Sequence, residues 1–144
     1  MITITNYFLK PYVKALTPLA TYGSRFFRYF LQAYNIPITT EGLIDWKQLG
    51  QEYYTFDVET DEDLVTTWLK ETDLLRYPEL IVEVGHGEYI CKVKTLTFVE
   101  HWYDFYRASA YEGISVVSLN LKYLIELRHD TGLFYSNFKI DPES

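Results

Sequence analysis

The chain has 144 residues, 48% apolar, 18% aromatic and 23% charged, with a net charge of −7 and one cysteine. Such a composition excludes a disordered chain, and a lone Cys91 excludes an intramolecular disulfide or a multi-cysteine zinc site. A cytoplasmic, reducing location is expected, since no apolar run approaches the ~18 residues of a membrane-spanning helix and no secretory leader is evident.

Charge divides the chain unevenly. Residues 1–40 carry Lys10, Lys14, Arg25 and Arg28 and no acid, a local charge of +4, whereas all twenty acids fall after position 40. Either a basic aromatic N-terminal segment docks on an acidic body, or the acidic, Tyr-rich body receives a basic partner. The acid-free start with Arg25 and Arg28 has the charge of a transit peptide, but Tyr22, Phe26, Phe27, Tyr29 and Phe30 read as core material.

In chain order, Thr17-Pro18 offers a helix start and Asn35 to Pro37 a stop, and Leu19, Tyr22, Phe26, Tyr29, Phe30 and Ala33 recur at helical spacing between them. Arg25 and Arg28 lie on the opposite, polar row. A shorter helix with Trp46 and Leu49 is expected between Gly42 and Tyr54. Asp57, Glu59, Asp61, Glu62 and Asp63 precede Leu64, Val65, Trp68 and Leu69, which reads as a helix with acids in its first turn. That use accounts for Asp61 to Asp63 and leaves Asp57 and Glu59 freer for a partner.

From Leu80 the period changes to two: Leu80, Val82 and Val84 share one face, Ile81 and Glu83 the other, and Gly85 to Gly87 turns the chain into a return strand beginning near Glu88. Phe98, Trp102, Phe105, Tyr106 and Ser109 then form one face of a helix that Gly113 is placed to end. Ile114 to Leu119, Leu121 to Arg128 and Leu133 to Phe138 read as strands, with a turn at Asp130 to Gly132 and a loose tail at 139–144. The expected fold is a single α+β domain over residues 1–144, with a helical N-terminal half, a β-hairpin, one helix and an antiparallel C-terminal meander.

Motifs for catalysis are incomplete. Gly85-His86-Gly87 lacks the third small residue of a dinucleotide loop, and His86-Gly87-Glu88 lacks the Cys-x-x-Cys half of a zinc deaminase signature. Glu83, Glu88, Lys92 and Lys94 read as solvent-facing cross-strand charge pairs. His101 and Asp104 stand one helical turn apart with no neighbouring nucleophile, and surface stabilisation accounts for them. No cofactor and no metal is expected.

With fourteen tyrosines, satisfying every hydroxyl inside the core is implausible, so some mark a contact surface. Tyr53 and Tyr54 beside Asp57 and Glu59 are the residues assigned to it. The function read from these features is an acidic, non-enzymatic binding protein, an immunity or inhibitor protein that neutralises a basic toxin or nuclease of bacterial or phage origin. Direct nucleic-acid binding is disfavoured by the net charge. The alternatives are an assembly protein of a phage or mobile element, which uses the aromatic N-terminal segment to contact a neighbouring subunit, and an enzyme using His86, Glu88 and Lys92.

Overall fold

The computed structural model describes residues 8–20, 26–33, 35–40, 43–50, 53–57, 62–71, 73–85, 89–109, 113–118, 124–128 and 133–136. A 3-10 helix, Lys10–Ala15, with Pro11 in its first turn leads into β1 (Leu16–Ala20). Here the expectation of a helix from Thr17 is corrected. Proline pushes the residue before it toward extended backbone and has no N–H for a ladder, so it is tolerated at a sheet edge. β1 is that edge: it pairs antiparallel with β4 (Tyr89–Lys94), Leu16 opposite Val93 and Pro18 opposite Cys91, before the register shifts at Ala20. Among the described residues the helical period is realised in α1 (Phe26–Ala33), and Tyr22 and Arg25 of the expected helix lie outside them. Its C-terminus is capped at the expected stop: Asn35 adopts φ 64°, its N–H donates to the Gln32 carbonyl (3.0 Å), and the Ile36 N–H donates to the Leu31 carbonyl (3.0 Å).

The second N-terminal helix is also corrected. Asp45 organises a single turn, its carbonyl accepting the Leu49 N–H (3.0 Å) and its Oδ1 the Gln48 N–H (3.2 Å). Gly50 then takes φ 73°, a left-handed conformation that ends the turn. The chain continues into β2 (Tyr54–Asp57), so the described residues up to position 57 are a mixture of strand, turn, a 3-10 helix and one short α-helix. The acid-rich start of the next helix is seen as α2 (Glu62–Glu71), followed by a 3-10 turn, Asp73–Arg76.

The remaining elements are β3 (Glu79–Val84), β4, α3 (Thr95–Ala108), β5 (Gly113–Ser118), β6 (Leu124–Arg128) and β7 (Leu133–Ser136). The seven strands of the described residues join one antiparallel sheet of order β1-β4-β3-β5-β6-β7-β2, containing the expected hairpin and C-terminal meander. The expected turn at Asp130 to Gly132 and the tail at 139–144 lie outside the described residues. Gly113 opens β5 at φ 124° and does not end α3. Ser109 ends it: the Ser109 N–H reaches the Phe105 and Tyr106 carbonyls, and Oγ accepts the Gly113 N–H at 3.1 Å.

Period-two alternation sends the two sides of each strand into different cores. Leu80, Val82, Val84, Cys91, Val93, Val116 and Ile125 pack with Val65, Leu69, Phe98, Trp102 and Phe105 of α2 and α3. On the opposite face Ile81, Ile90, Val117 and Leu124 are covered by Leu31 of α1 and by Ile36, Ile44 and Trp46. Each such side chain contributes about 1.5–3 kcal/mol when fully buried. The sheet is therefore covered on both sides, and the N-terminal segment supplies one of the two covers. Among the described residues no helix is long and apolar enough to cross a membrane.

Candidate functional site

The face under the N-terminal cover is not wholly apolar. Ladder register places Glu83 opposite Ser115, Ser115 opposite Glu126, Glu126 opposite Tyr135, and Tyr135 opposite Thr55, a polar row across five strands from β3 to β2. Cross-strand partners share a face, so the row is continuous. Glu126 is its centre and is 1% exposed. A carboxylate so placed requires donors, since an unpaired buried charge costs several kcal/mol. It has them: the Ile44 backbone N–H at 2.9 Å and Ser115 Oγ at 3.4 Å on Oε2, and the Trp46 indole N–H at 3.0 Å on Oε1. Arg128 Nη1 lies 4.0 Å from Oε1.

Burial raises the Glu126 pKa above its ordinary value, against the opposing pull of Ile44, Trp46, Arg128 and Ser115. Glu83 is pushed up to about 7, chiefly by burial and then by the charge on Glu126, while Arg28 pulls it down. The expectation of a solvent-facing pair at Glu83 is thereby corrected, because the register turns it onto the covered face. Glu83 can exchange a proton near neutrality, whereas Glu126 has both oxygens committed to the protein's own donors. Its evident work is to fix the cover to the sheet.

What Glu126 fixes is an aromatic platform. Trp46 stacks on Tyr135 with ring centroids 5.9 Å apart, and Tyr53 lies 5.8 Å from Trp46 and 6.2 Å from Tyr135. The Arg128 guanidinium sits 5.5 Å above the Tyr135 ring. Tyr53 is half-buried and runs directly into β2, the last strand of the sheet. Among the described residues no strand pairs with the outer side of β2. Of the residues assigned to a contact surface, Tyr53 thus belongs to the platform, Tyr54 and Asp57 are β2 positions opposite Ser136 and Leu133, and Glu59 lies outside the described residues.

His86 and Glu88 lie outside the described residues, and Lys92 forms an ion pair with Glu79 Oε1 at 3.8 Å. Among the described residues no group of three or more His, Cys, Asp or Glu side chains could hold a metal ion. Cys91 is fully buried, and that burial pushes its thiol up to about 12, which leaves it without nucleophilic character.

A second polar cluster lies beyond the opposite face, where the 3-10 helix meets α3. The Tyr12 hydroxyl donates to Asp104 Oδ2 and lies 3.2 Å from His101 Nδ1, and the two rings stack at 4.4 Å. Arg107 Nη2 donates to Asp104 Oδ1, with its guanidinium over the rings of Phe8 (5.1 Å) and Tyr103 (5.6 Å). Tyr12 is raised to about 12 by burial and by its bond to Asp104; burial opposes ionisation of Asp104, but Tyr12 and Arg107 outweigh it and hold the carboxyl below its ordinary value. His101 is not a simple surface position of α3, because its backbone (φ −131°, ψ 23°) leaves helical geometry within the helix. An open cavity of about 260 Å³ adjoins it, and a larger apolar one of about 690 Å³ lies beside Leu75, Tyr77, Pro78 and Leu96.

The chain matches no protein-family model and no curated protein. Glu126 and Tyr12 are site residues that the sequence does not single out, and Ser115 reads there only as a nucleophile-elbow serine that lacks the second glycine. The first has a readable signal, a carboxylate between Ile125 and Leu127 in a strand pattern; Tyr12 has none, because its partners are about ninety residues away.

Proposed function

We propose that the chain is an acidic binding protein that captures a basic protein partner along the β2 edge, as an immunity or inhibitor protein would cover the substrate groove of a toxin or nuclease. The observation that carries this reading is the position of β2: the terminal strand of the sheet, backed by the Trp46–Tyr53–Tyr135 platform. An exposed strand edge offers backbone donors and acceptors to an incoming extended segment. The chain then runs into five acids between 57 and 63, with no base from Lys47 to Lys70. Complementary charge would steer a Lys/Arg-rich segment to that edge. A cytoplasmic location and a bacterial or phage origin belong to the same proposal, as does the absence of catalysis.

The test is the double change Asp57→Lys, Glu59→Lys against a tail control, Asp141→Lys, Glu143→Lys, which alters net charge equally. With a basic partner recovered at low salt, the first variant should lower the association rate roughly tenfold and flatten its salt dependence, with unfolding unchanged. Equal effects from both variants would reduce the interaction to net charge, and unchanged association would remove β2 from the interface.

The second reading, an assembly component of a phage or mobile element, is favoured by one observation. Leu96 (52% exposed) and Leu75 (38%) border the apolar concavity of about 690 Å³, a surface suited to a neighbouring subunit. A homo-oligomer in solution that Leu96→Lys dissociates would favour assembly; a monomer would remove it.

A further inference from the structure

The hydrogen-bond network around Tyr12 dictates where the proton on His101 must lie. The Tyr12 hydroxyl has one hydrogen, and it is donated to Asp104 Oδ2. The contact of 3.2 Å between that hydroxyl oxygen and His101 Nδ1 can therefore be a hydrogen bond only if Nδ1 is the donor. Arg107 occupies the other oxygen of Asp104, so the carboxylate has no reason to turn and release Tyr12. In the neutral imidazole, the Nδ1–H tautomer leaves Nε2 as a bare acceptor. Ring stacking on Tyr12 fixes the plane of the imidazole, and the helix leaves regular geometry at the residue that carries it.

His101 and Glu100 both line the cavity of about 260 Å³, with Nε2 and Glu100 Oε2 4.0 Å apart. While the imidazole is neutral both are acceptors, and together they call for a ligand group rich in donors. Lys14, from the 3-10 helix, also lines the cavity and presents only donors, which calls for an anionic group. Pro11, Ala15 and Leu96 contribute apolar lining to the same cavity. The volume lies below the ~300–1,000 Å³ of sites for drug-sized ligands, so the occupant is small. We propose that this cavity binds a small zwitterion of the amino-acid class, its ammonium group held by His101 Nε2 and Glu100 and its anionic group by Lys14. Tyr12 and Asp104 are positioning residues: they act through His101, by holding the acceptor on Nε2. The site is separate from the β2 edge and stands or falls independently of it.

Nitrogen-15 NMR of the histidine-labelled full chain at about pH 8 reads the tautomer directly. The expected result is Nδ1–H at His101, the reverse of the tautomer usual for an unconstrained histidine side chain, and an Nε2–H signal would overturn the proposal at its first step. 4-Aminobutyrate is then titrated as the probe, with acetate and methylamine as single-ended controls. It should shift the His101 ring and Lys14 signals with an affinity at least roughly tenfold above either control. No shift up to about 50 mM, or an equal response to one control, would overturn the assignment. Lys14 is exposed, so Lys14→Gln should leave fold and tautomer intact while abolishing the preference for the zwitterion. Tyr12→Phe should return His101 to the Nε2–H tautomer and weaken the probe by a similar factor. Binding retained at wild-type strength in both variants would refute the site.

Discussion

Exchanging Glu126 for Gln tests whether the buried carboxylate ties the N-terminal cover to the sheet. Its two oxygens serve different donors, Oε1 the Trp46 indole N–H at 3.0 Å and Oε2 the Ile44 N–H at 2.9 Å. A glutamine has one oxygen and must turn its amide N–H₂ toward one of them. The better choice keeps Ile44 and Ser115 on the oxygen and leaves the indole N–H facing another donor, at a cost of ~1–3 kcal/mol for the orphaned group. Loss of a desolvated charge acts in the opposite direction, so the single variant does not isolate the bond. A double-mutant cycle with Trp46→Phe does, because the charge relief is common to both backgrounds and cancels. In the Trp46→Phe background no indole N–H remains to be orphaned, so Glu126→Gln should cost ~1–3 kcal/mol less there than in the wild type. Urea unfolding of the four proteins, followed by circular dichroism, gives the coupling. A value within ~0.5 kcal/mol of zero would refute the claim that Glu126 holds Trp46.

Glu83 gives the stability of the protein a pH dependence of defined sign. Its folded pKa of about 7 exceeds the ordinary 4.5, so the folded state binds the proton more tightly; the stabilisation is complete below 4.5 and is lost as pH rises through 7. The loss amounts to at most ~3 kcal/mol, and Glu83→Gln should abolish it and leave the variant more stable than wild type at about pH 8. A less stable variant at that pH would mean that the attraction between Glu83 and Arg28 outweighs the cost of burying the charge. Cys91, 0% exposed with its thiol pushed to about 12, should react with a thiol reagent only at the rate of unfolding. Fast labelling of the folded protein would show that β4 opens locally.

Period-two alternation makes the C-terminal half legible. Leu80, Val82 and Val84 on one side and Ile81 on the other fall in separate cores as their spacing predicts, and Phe98, Trp102, Phe105 and Tyr106 form the buried face of α3. Misreading is confined to places where local and tertiary preferences compete. Thr17-Pro18 satisfies both a helix start and an edge strand, and the open side of β4 decides for the strand. Trp46 and Leu49 are spaced for a helix, but the indole N–H finds its acceptor on β6, eighty residues later. That Tyr53 belongs to an aromatic stack is not legible, since Tyr135 reaches it only through the β7–β2 pairing.

The charge division of the chain acquires a physical meaning once the pairs are placed. Arg28 of the acid-free segment acts on Glu83, and the same segment covers the sheet with Leu31 and Ile36. Lys92 is engaged by Glu79, Arg107 by Asp104, and Arg128 lies near Glu126 and over Tyr135. Docking of the basic segment on the acidic body and reception of a basic partner are therefore not exclusive, because they draw on different acids. The first uses Glu83 beneath α1, one of the covers of the sheet. The second, as proposed, would use the five acids from 57 to 63, which have no base between Lys47 and Lys70 and begin at the last residue of β2. α2 begins within that run, so Glu62 and Asp63 serve a helix start, while Asp57 closes β2 and precedes the helix by five positions. A contribution of Asp57 to helix stability is correspondingly small, since the dipole effect fades beyond the first turn. Reversal of charge at Asp57 and Glu59 is for that reason the change that separates a partner surface from a helix cap: it should leave unfolding unaltered and act on encounter alone.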